Sequence, residues 1–466
     1  MDDKNHKLFG RRGFLGGVLA VGGAAGLGVG GWSALARLAQ GQDGTAPPDR
    51  FYVFAYFQGG WDTLLGIDPR DPAVFSEDSV GVTRIMPGYG NQSTAEFQAA
   101  PAYAPGTEIL LGPAARPLDA VADRLTVVRG MSMDTLTHEV GRRRFITGKP
   151  PSGLNARGSA GTAWLASRWG GQRLIPNLSV RVESFNPDLS PEFSALRVGS
   201  SADLVAMLRR RDPIPEDAVD QAINDLHTDE ASCARALGSP MLRGAESARQ
   251  RMRAVLDADV QSLFDFGNAT DPTMMALRDR YGFATNQLTT PGAQAAVAYQ
   301  ALANGVSRAV SFTATDSLDT HFDDWEDDQA PRQRTGWKAI ADLAAHLAET
   351  PYEGGESMLD RTYIVAFSEF MRTPLLNARG GRDHWLTNSC AIVGGKARSG
   401  GRVIGAASDV GMSPQLVDLA TGRVTDDPTG SIIYPEHVLR SMLVDAGLEE
   451  DRADLRVPAI PGLLST

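Results

Sequence analysis

The sequence predicts a layered α/β fold around a central, mostly parallel sheet, and three observations carry that expectation. Phe51–Phe57 (FYVFAYF) is a continuous apolar run, and Arg361–Phe367 (RTYIVAF) and Ser389–Val393 are mainly apolar ones. Such runs mark strands buried on both faces. Segments with apolar residues at three- and four-residue spacing lie between the runs, so strands and helices alternate along the chain. Clusters of Gly, Pro, Asp and Asn punctuate the boundaries.

In chain order, residues 1–36 read as an export signal. Lys4, Lys7, Arg11 and Arg12 make a basic start, and Arg11-Arg12-Gly13-Phe14-Leu15 is a twin-arginine pattern. A Gly/Ala/Val/Leu run follows to about Val29, and Ala34-Leu35-Ala36 offers small residues for cleavage. The run is too short and glycine-rich for a good membrane span. Residues 37–50 are a polar linker, and 51–466 are expected to form a single domain. Residues 66–113 read as loop, Pro117–Arg124 as a short helix and Leu125–Val128 as a strand. A basic helix begins near His138. Ala160–Trp169 reads as helix and Leu178–Val182 as strand. Residues of about 200–304 read as a helical insertion, with helices over Ala202–Arg211, Glu216–Leu226, Arg243–Leu263 and Pro291–Asn304. Ser307–Thr313 returns to strand, and helices follow over Thr335–Glu349 and Pro435–Ala446.

Composition removes several classes of function. The 466 residues carry 45 Lys and Arg against 56 Asp and Glu, a formal net charge of −11. Nucleic-acid binding needs clustered cations, so none is expected. Two cysteines, Cys233 and Cys390, exclude a disulfide framework or a Cys-rich metal site. No segment beyond the signal is long and apolar enough to span a bilayer. Export therefore places the protein in the periplasm or outside the cell, with the twin-arginine machinery as its first partner.

Ligands of open α/β sheets bind beyond the carboxyl ends of the strands. There the sequence places Asp62; Ser132, Thr135, Thr137 and His138; Asp316, Asp319 and His321; Glu369; and Asp383-His384. These oxygen and nitrogen donors suit a divalent cation: Zn, Mn, Mg or Ca. Asp62, in Gly59-Gly60-Trp61-Asp62-Thr63, either ligates or fixes a turn. His321 is a ligand or a satisfied structural histidine. Glu369 is a ligand or the partner of Arg372. Asp383 ligates directly or orients His384. Arg142, Arg143 and Arg144 offer bidentate anion contacts or a solvated basic face. Asp323–Asp328 read as a solvated helix N-terminus, with a purely structural calcium site as the other use of such acids. His6, His227, His346 and His437 have no comparable context.

At these residues the sequence resembles a bacterial domain-of-unknown-function family, serial number fifteen-oh-one. The resemblance rests on Gly-Gly-Trp-Asp (59–62), Asp-Thr-His (319–321), Phe-Ser-Glu-Phe-Met-Arg-Thr-Pro (367–374), Gly-Arg-Asp-His-Trp (381–385) and Gly-Gly-Arg-Val-Ile-Gly (400–405). It runs from about Arg50 to Leu448. The family is grouped with the alkaline phosphatase-like fold, which also holds sulfatases and cofactor-independent phosphoglycerate mutases. The resemblance implies a two-metal hydrolase scaffold. In it Asp62 would be the first ligand, and Thr137 or Thr135 the nucleophile. Asp316 or Asp319 with His321 would serve the second metal. Glu369 would stand where an Asp-His pair usually follows a strand, and His384 where the late histidine sits. Arg142 or Arg372 would stabilise the anion. Asp134-Thr135-Leu136-Thr137-His138 lacks the Cys/Ser-x-Pro-x-Arg of sulfatases, so formylglycine chemistry is not expected. The expected function is a metal-dependent hydrolase of phosphate or sulfate esters acting on an anionic small molecule or glycan. The alternative is a binding or surface-assembly protein that keeps the fold without the activity.

Overall fold

The protein is described by a computed structural model covering residues 49–171, 173–209, 216, 218–225, 238–396 and 401–464. The twin-arginine segment, Cys233, His6 and His227 lie outside the described residues. Eight strands form one sheet: β1 (Phe51–Phe57), β2 (Leu125–Ser132), β3 (Asn177–Val180), β4 (Leu196–Val198), β5 (Ala309–Thr315), β6 (Thr362–Ser368), β7 (Thr387–Gly394) and β8 (Arg402–Ile404). Their order is β8-β2-β7-β6-β1-β5-β3-β4. β1 lies at the centre, parallel to β5 and β6, with Tyr52 level with Ala309 and Tyr363. β7 runs against both its neighbours, β6 and β2.

Side chains alternate across β1, and both faces are covered. Phe51, Val53, Ala55 and Phe57 pack with Val297 and Leu302 of helix α6 (Pro291–Ala303) and with Trp337, Ile340 and Leu343 of α7 (Ala330–Glu349). Tyr52, Phe54 and Tyr56 face the other way. They join Phe145 of α1 (His138–Thr147), Leu165 of α2 (Gly161–Trp169), and Val438 and Met442 of α8 (Pro435–Asp445). Each large apolar side chain removed from water in this way stabilises the fold by about 1.5–3 kcal/mol. The result is an α/β/α sandwich, which explains why β1 and β6 carry no polar alternation.

β1 has its expected bounds, β3 starts one residue earlier and ends two residues earlier than expected, and the other expected strands shift by one to four residues at their ends. Helices α3 (Ser201–Leu208), α4 (Pro240–Asp257) and α5 (Pro272–Tyr281) lie between α2 and α6, and two short edge strands, β4 and β8, together with α5 add to the elements expected. Pro117–Arg124 belongs to a longer run of tight 3₁₀ turns, Pro113–Arg124. Arg243–Leu263 is replaced by a helix over Pro240–Asp257 and a separate turn at Val260–Phe264. The last helix of the 200–304 region, α6, packs on β5 and α7 and so forms part of the sandwich itself. In the acidic run, Glu326, Asp327 and Asp328 occupy the first turn of a wide helical segment, Trp325–Gln329, that leads into α7. No helix among the described residues is long and apolar enough to cross a membrane.

One buried group gives the fold a predictable response to acid. His437, in the first turn of α8, is 4% exposed, and its Nδ1 accepts the Tyr434 N–H at 3.1 Å. Burial pushes its pKa down from 6.5 to about 4. Between those values the unfolded chain binds the proton first, so stability rises with pH across this window and falls on acidification. The contribution is at most about 3 kcal/mol. His437→Gln keeps a side chain able to reach back to the helix start and removes the titration. Chemical denaturation from pH 7 to 4 should show a shallower loss for the variant. Identical pH profiles would refute the assignment.

Candidate metal centre

The site forms where β1, β5 and β6 end beside the start of α1. β1 leaves the sheet through Gly59 and Gly60, both at positive φ (113° and 79°). A Cβ on Gly59 would lie 2.6 Å from the Leu318 nitrogen, so only glycine lets the β1 and β5 exits touch. β6 ends in Ser368, and Glu369 turns inward with no exposed surface. Its Oε1 accepts the Gly59 N–H at 2.9 Å and meets His138 Nδ1 at 2.7 Å, while its Oε2 accepts the Ser368 hydroxyl at 2.9 Å. Burial alone would raise the Glu369 pKa, but the hydrogen bond and charge of His138 outweigh it and hold the carboxyl below its usual range.

Three imidazoles converge on one oxygen. Asp319 Oδ1 lies 3.2 Å from His138 Nε2, 3.0 Å from His321 Nε2 and 3.3 Å from His384 Nε2. The opposite ring nitrogens all meet oxygens: His138 Nδ1 at Glu369 (2.7 Å), His321 Nδ1 at Asp383 (2.8 Å) and His384 Nδ1 at the Leu136 carbonyl (2.7 Å). An ionised carboxylate or a carbonyl only accepts, so each Nδ1 carries the proton. In a neutral ring that leaves a lone pair on Nε2. His321 Nε2 and His384 Nε2 are 3.0 Å apart, and two lone pairs at that distance repel unless a positive charge lies between them.

Arg372 supplies part of that charge. It is fully buried, and all five of its N–H groups are used. They reach the carbonyls of Gly60, Gly59 and Arg382, the Asp319 carboxylate and His321 Nε2. A proton supplies another part. Desolvation lowers the His138 pKa, but its bonds to Asp319 and Glu369 win and raise it to about 9. Asp319 is held far below the usual carboxylate range: desolvation opposes this, and His138, His384 and Arg372 outweigh it.

The donor set fits a cation. Zinc with four ligands at 2.0–2.1 Å would place neighbouring donor atoms about 3.3 Å apart. The Asp319 Oδ1–Nε2 spacings, 3.0–3.3 Å, and the His321–His384 spacing, 3.0 Å, are close to that value. His138, Asp319 and His384 offer donor atoms within 4.8 Å of one another, and His138 Nε2 is buried without a well-aligned hydrogen bond. Glu369, Asp383 and the Leu136 carbonyl stand behind the rings, as partners that orient metal-binding histidines do.

The sequence expectations fall on this geometry unevenly. Asp319, His321 and His384 come together, with Asp383 and Glu369 one layer behind them as orienting groups. Asp62 is elsewhere. It is buried and ion-paired to Arg382 at 3.0 Å, while its oxygens accept the Trp325 indole N–H and the Leu64 N–H. Three donors face its two oxygens, a pairing that serves the turn-fixing reading of this residue. Asp316 pairs with Arg181 at 2.9 Å, outside the cluster. Arg142 shares Glu183 with Arg143, and Arg144 bonds Glu436 and Asp134. Arg372 is committed to Asp319 and backbone carbonyls, while Arg142 meets Glu183 through its Nε. Thr137 precedes α1, exposed and without a capping bond from its hydroxyl. Thr135 Oγ1 accepts the Thr137 N–H. Among the described residues, the acids 323–328 form no group able to hold a metal. His138 was visible only as a strand-end residue next to an expected nucleophile; its signal was its place at the first turn of a helix that follows a strand.

A mixed α/β sandwich with an imidazole–carboxylate cluster at the carboxyl edge of its sheet is thus the class that fold and site define. The chain belongs to the family described as Protein of unknown function (DUF1501), which matches residues 52–420. The sequence matches no curated protein. Two solved structures are similar to it. One is Ps i-CgsB in complex with k-i-k-neocarrahexaose, at 9% identity and a TM-score of 0.36, covering 88% of this chain and 75% of that one. The other is a mutant TAB5 alkaline phosphatase with Mg bound in its M3 site, at 11% identity and a TM-score of 0.27, covering 77% of this chain and 94% of that one.

Proposed function

We propose that this protein is an exported, metal-dependent hydrolase of phosphate or sulfate esters. The observation that carries the proposal is the convergence of three Nε2 atoms on Asp319 Oδ1 while each Nδ1 is anchored on an oxygen. His138, Asp319 and His384 would hold one divalent ion, and His321 would join them by exchanging the Arg372 N–H on its Nε2 for the ion. The nitrogen-rich set favours zinc over manganese, magnesium or calcium. The ion would act as a Lewis acid on an ester oxygen.

The chain's own groups do the rest. Thr137 presents a free hydroxyl one residue from His138, at the N-terminus of α1, where unpaired amides favour an anion. It is the nucleophile in this proposal, and Thr135 holds its backbone. Arg372 positions Asp319. Arg142 holds Glu183 against α1. The buried Asp62–Arg382 pair favours one ion over two. It also supports the second reading, a binding or surface-assembly protein that keeps the site without turnover.

Metal analysis of purified protein and a panel of phosphate and sulfate esters test the proposal. We expect His384→Ala to lose metal and turnover together. Thr137→Ala should keep the metal and lose turnover at least a hundredfold. Bound metal with no turnover on any ester establishes the second reading. No bound metal refutes both. Export is proposed from the paired arginines: fractionation of an Arg11→Lys, Arg12→Lys variant should find the chain retained in the cytoplasm, and normal export would overturn it.

A further inference from the structure

We infer that Asn377 is a positioning residue that sets the metal affinity of the cluster. This rests on the metal-site reading above and deepens it. The connection from Arg372 to His384 folds back on itself around this one side chain. Asn377 Oδ1 accepts the N–H groups of Arg379 (2.9 Å) and Gly381 (3.2 Å). Its Nδ2 donates to the His321 carbonyl (3.0 Å) and to Asp383 Oδ1 (3.2 Å). Both lone pairs and both N–H bonds of the amide are therefore used.

Neither a carboxylate nor a hydroxyl of similar size can make that set, because two donors and two acceptors are needed on one planar group. The Asp383 oxygen that Asn377 holds is the same oxygen that meets His321 Nδ1. Asn377 thus grips the histidine's backbone and the carboxylate that orients its ring in one clamp. Backbone contacts bring the two loops to this distance. Phe322 pairs with Gly380, and a Cβ on Gly381 would lie 2.2 Å from the His321 carbonyl carbon. Asn377 is half-buried and touches none of the atoms that would contact the ion. Its effect passes through Asp383 to His321 Nε2.

Asn377→Asp is nearly isosteric. It removes both donors and sets a carboxylate against Asp383 Oδ1, so Asp383 should leave His321 and the ring lose its orientation. Partners of this kind change metal affinity by about 10–100-fold. Zinc titration by calorimetry should show the variant weaker than wild type by that factor. The cobalt-substituted protein should change its visible spectrum, which a remote structural defect would not do. The double variant Asn377→Asp, Asp383→Asn restores one amide and one carboxylate and should recover part of the affinity and the spectrum. Thermal melting of the metal-free forms shows whether the single variant folds. If it does not, Asp383→Asn alone is measured, with the same loss expected. Wild-type affinity and an unchanged cobalt spectrum in a folded variant overturn the inference. Failure of the wild type to bind zinc or cobalt overturns the metal-site reading instead.

Discussion

Asp319→Ala should weaken metal binding by roughly a hundred- to a thousandfold and at the same time weaken the metal-free fold, the largest combined effect expected of any single change at the site. The aspartate is the one oxygen on which three Nε2 atoms converge. If the roughly 10–16 kcal/mol typical of structural zinc is spread over four ligands, each is worth about 3 kcal/mol, so affinity should fall roughly a hundred- to a thousandfold. The effect on the fold comes from Arg372, whose guanidinium has no exposed surface and, among the described residues, is ion-paired to Asp319 alone. Removing that carboxylate leaves the guanidinium with carbonyls and an imidazole only, but the Asp319 side chain is 49% exposed, so water replaces part of the contact and the cost falls below the roughly 3–5 kcal/mol of a fully buried pair. Calorimetric zinc titration and urea denaturation of the metal-free protein measure the two effects separately. Unchanged zinc affinity would place the ion elsewhere. Lost affinity with unchanged stability would mean that Arg372 does not depend on Asp319.

Much of the framework was legible because both faces of the sheet are covered. A strand such as β1 then has no reason to alternate, and an unbroken apolar run announces it. The site was legible where chemistry follows a strand directly, as at Glu369 and Asp319. Three features were harder to read, each for a physical reason. β4 and β8 are three residues long, too short for a periodicity to show. Helix Pro272–Tyr281 carried its signals in full: Asp271 as cap, Pro272 in the first turn and Gly282 at the end. They were submerged in a region already read as helical. Asp62 looks like a ligand by position alone. What decides its role is Arg382, far along the chain, and no local pattern announces that pairing.

The Asp62–Arg382 pair gives the second large effect. Both residues are buried, 3.0 Å apart, and Arg382 also donates to the carbonyls of Thr373, Met86 and Pro87. Its guanidinium lies over the Trp325 ring, 4.7 Å from the centroid. Arg382→Met strands the Asp62 charge and should cost about 3–5 kcal/mol. Neutralising the stranded charge in the double variant Asp62→Asn, Arg382→Met should return part of that loss, because the amide oxygen of the introduced asparagine still accepts from the Trp325 indole while no charge stays buried. Denaturant unfolding of the two variants measures the difference. A double variant less stable than Arg382→Met would show that the carboxylate was not the stranded group. Asp62→Asn alone then separates a structural acid from a ligand. Its zinc affinity should stay within about twofold of wild type, whereas a lost ligand costs roughly a hundredfold or more. A hundredfold loss on Asp62→Asn would restore Asp62 to the metal site and overturn the single-ion reading.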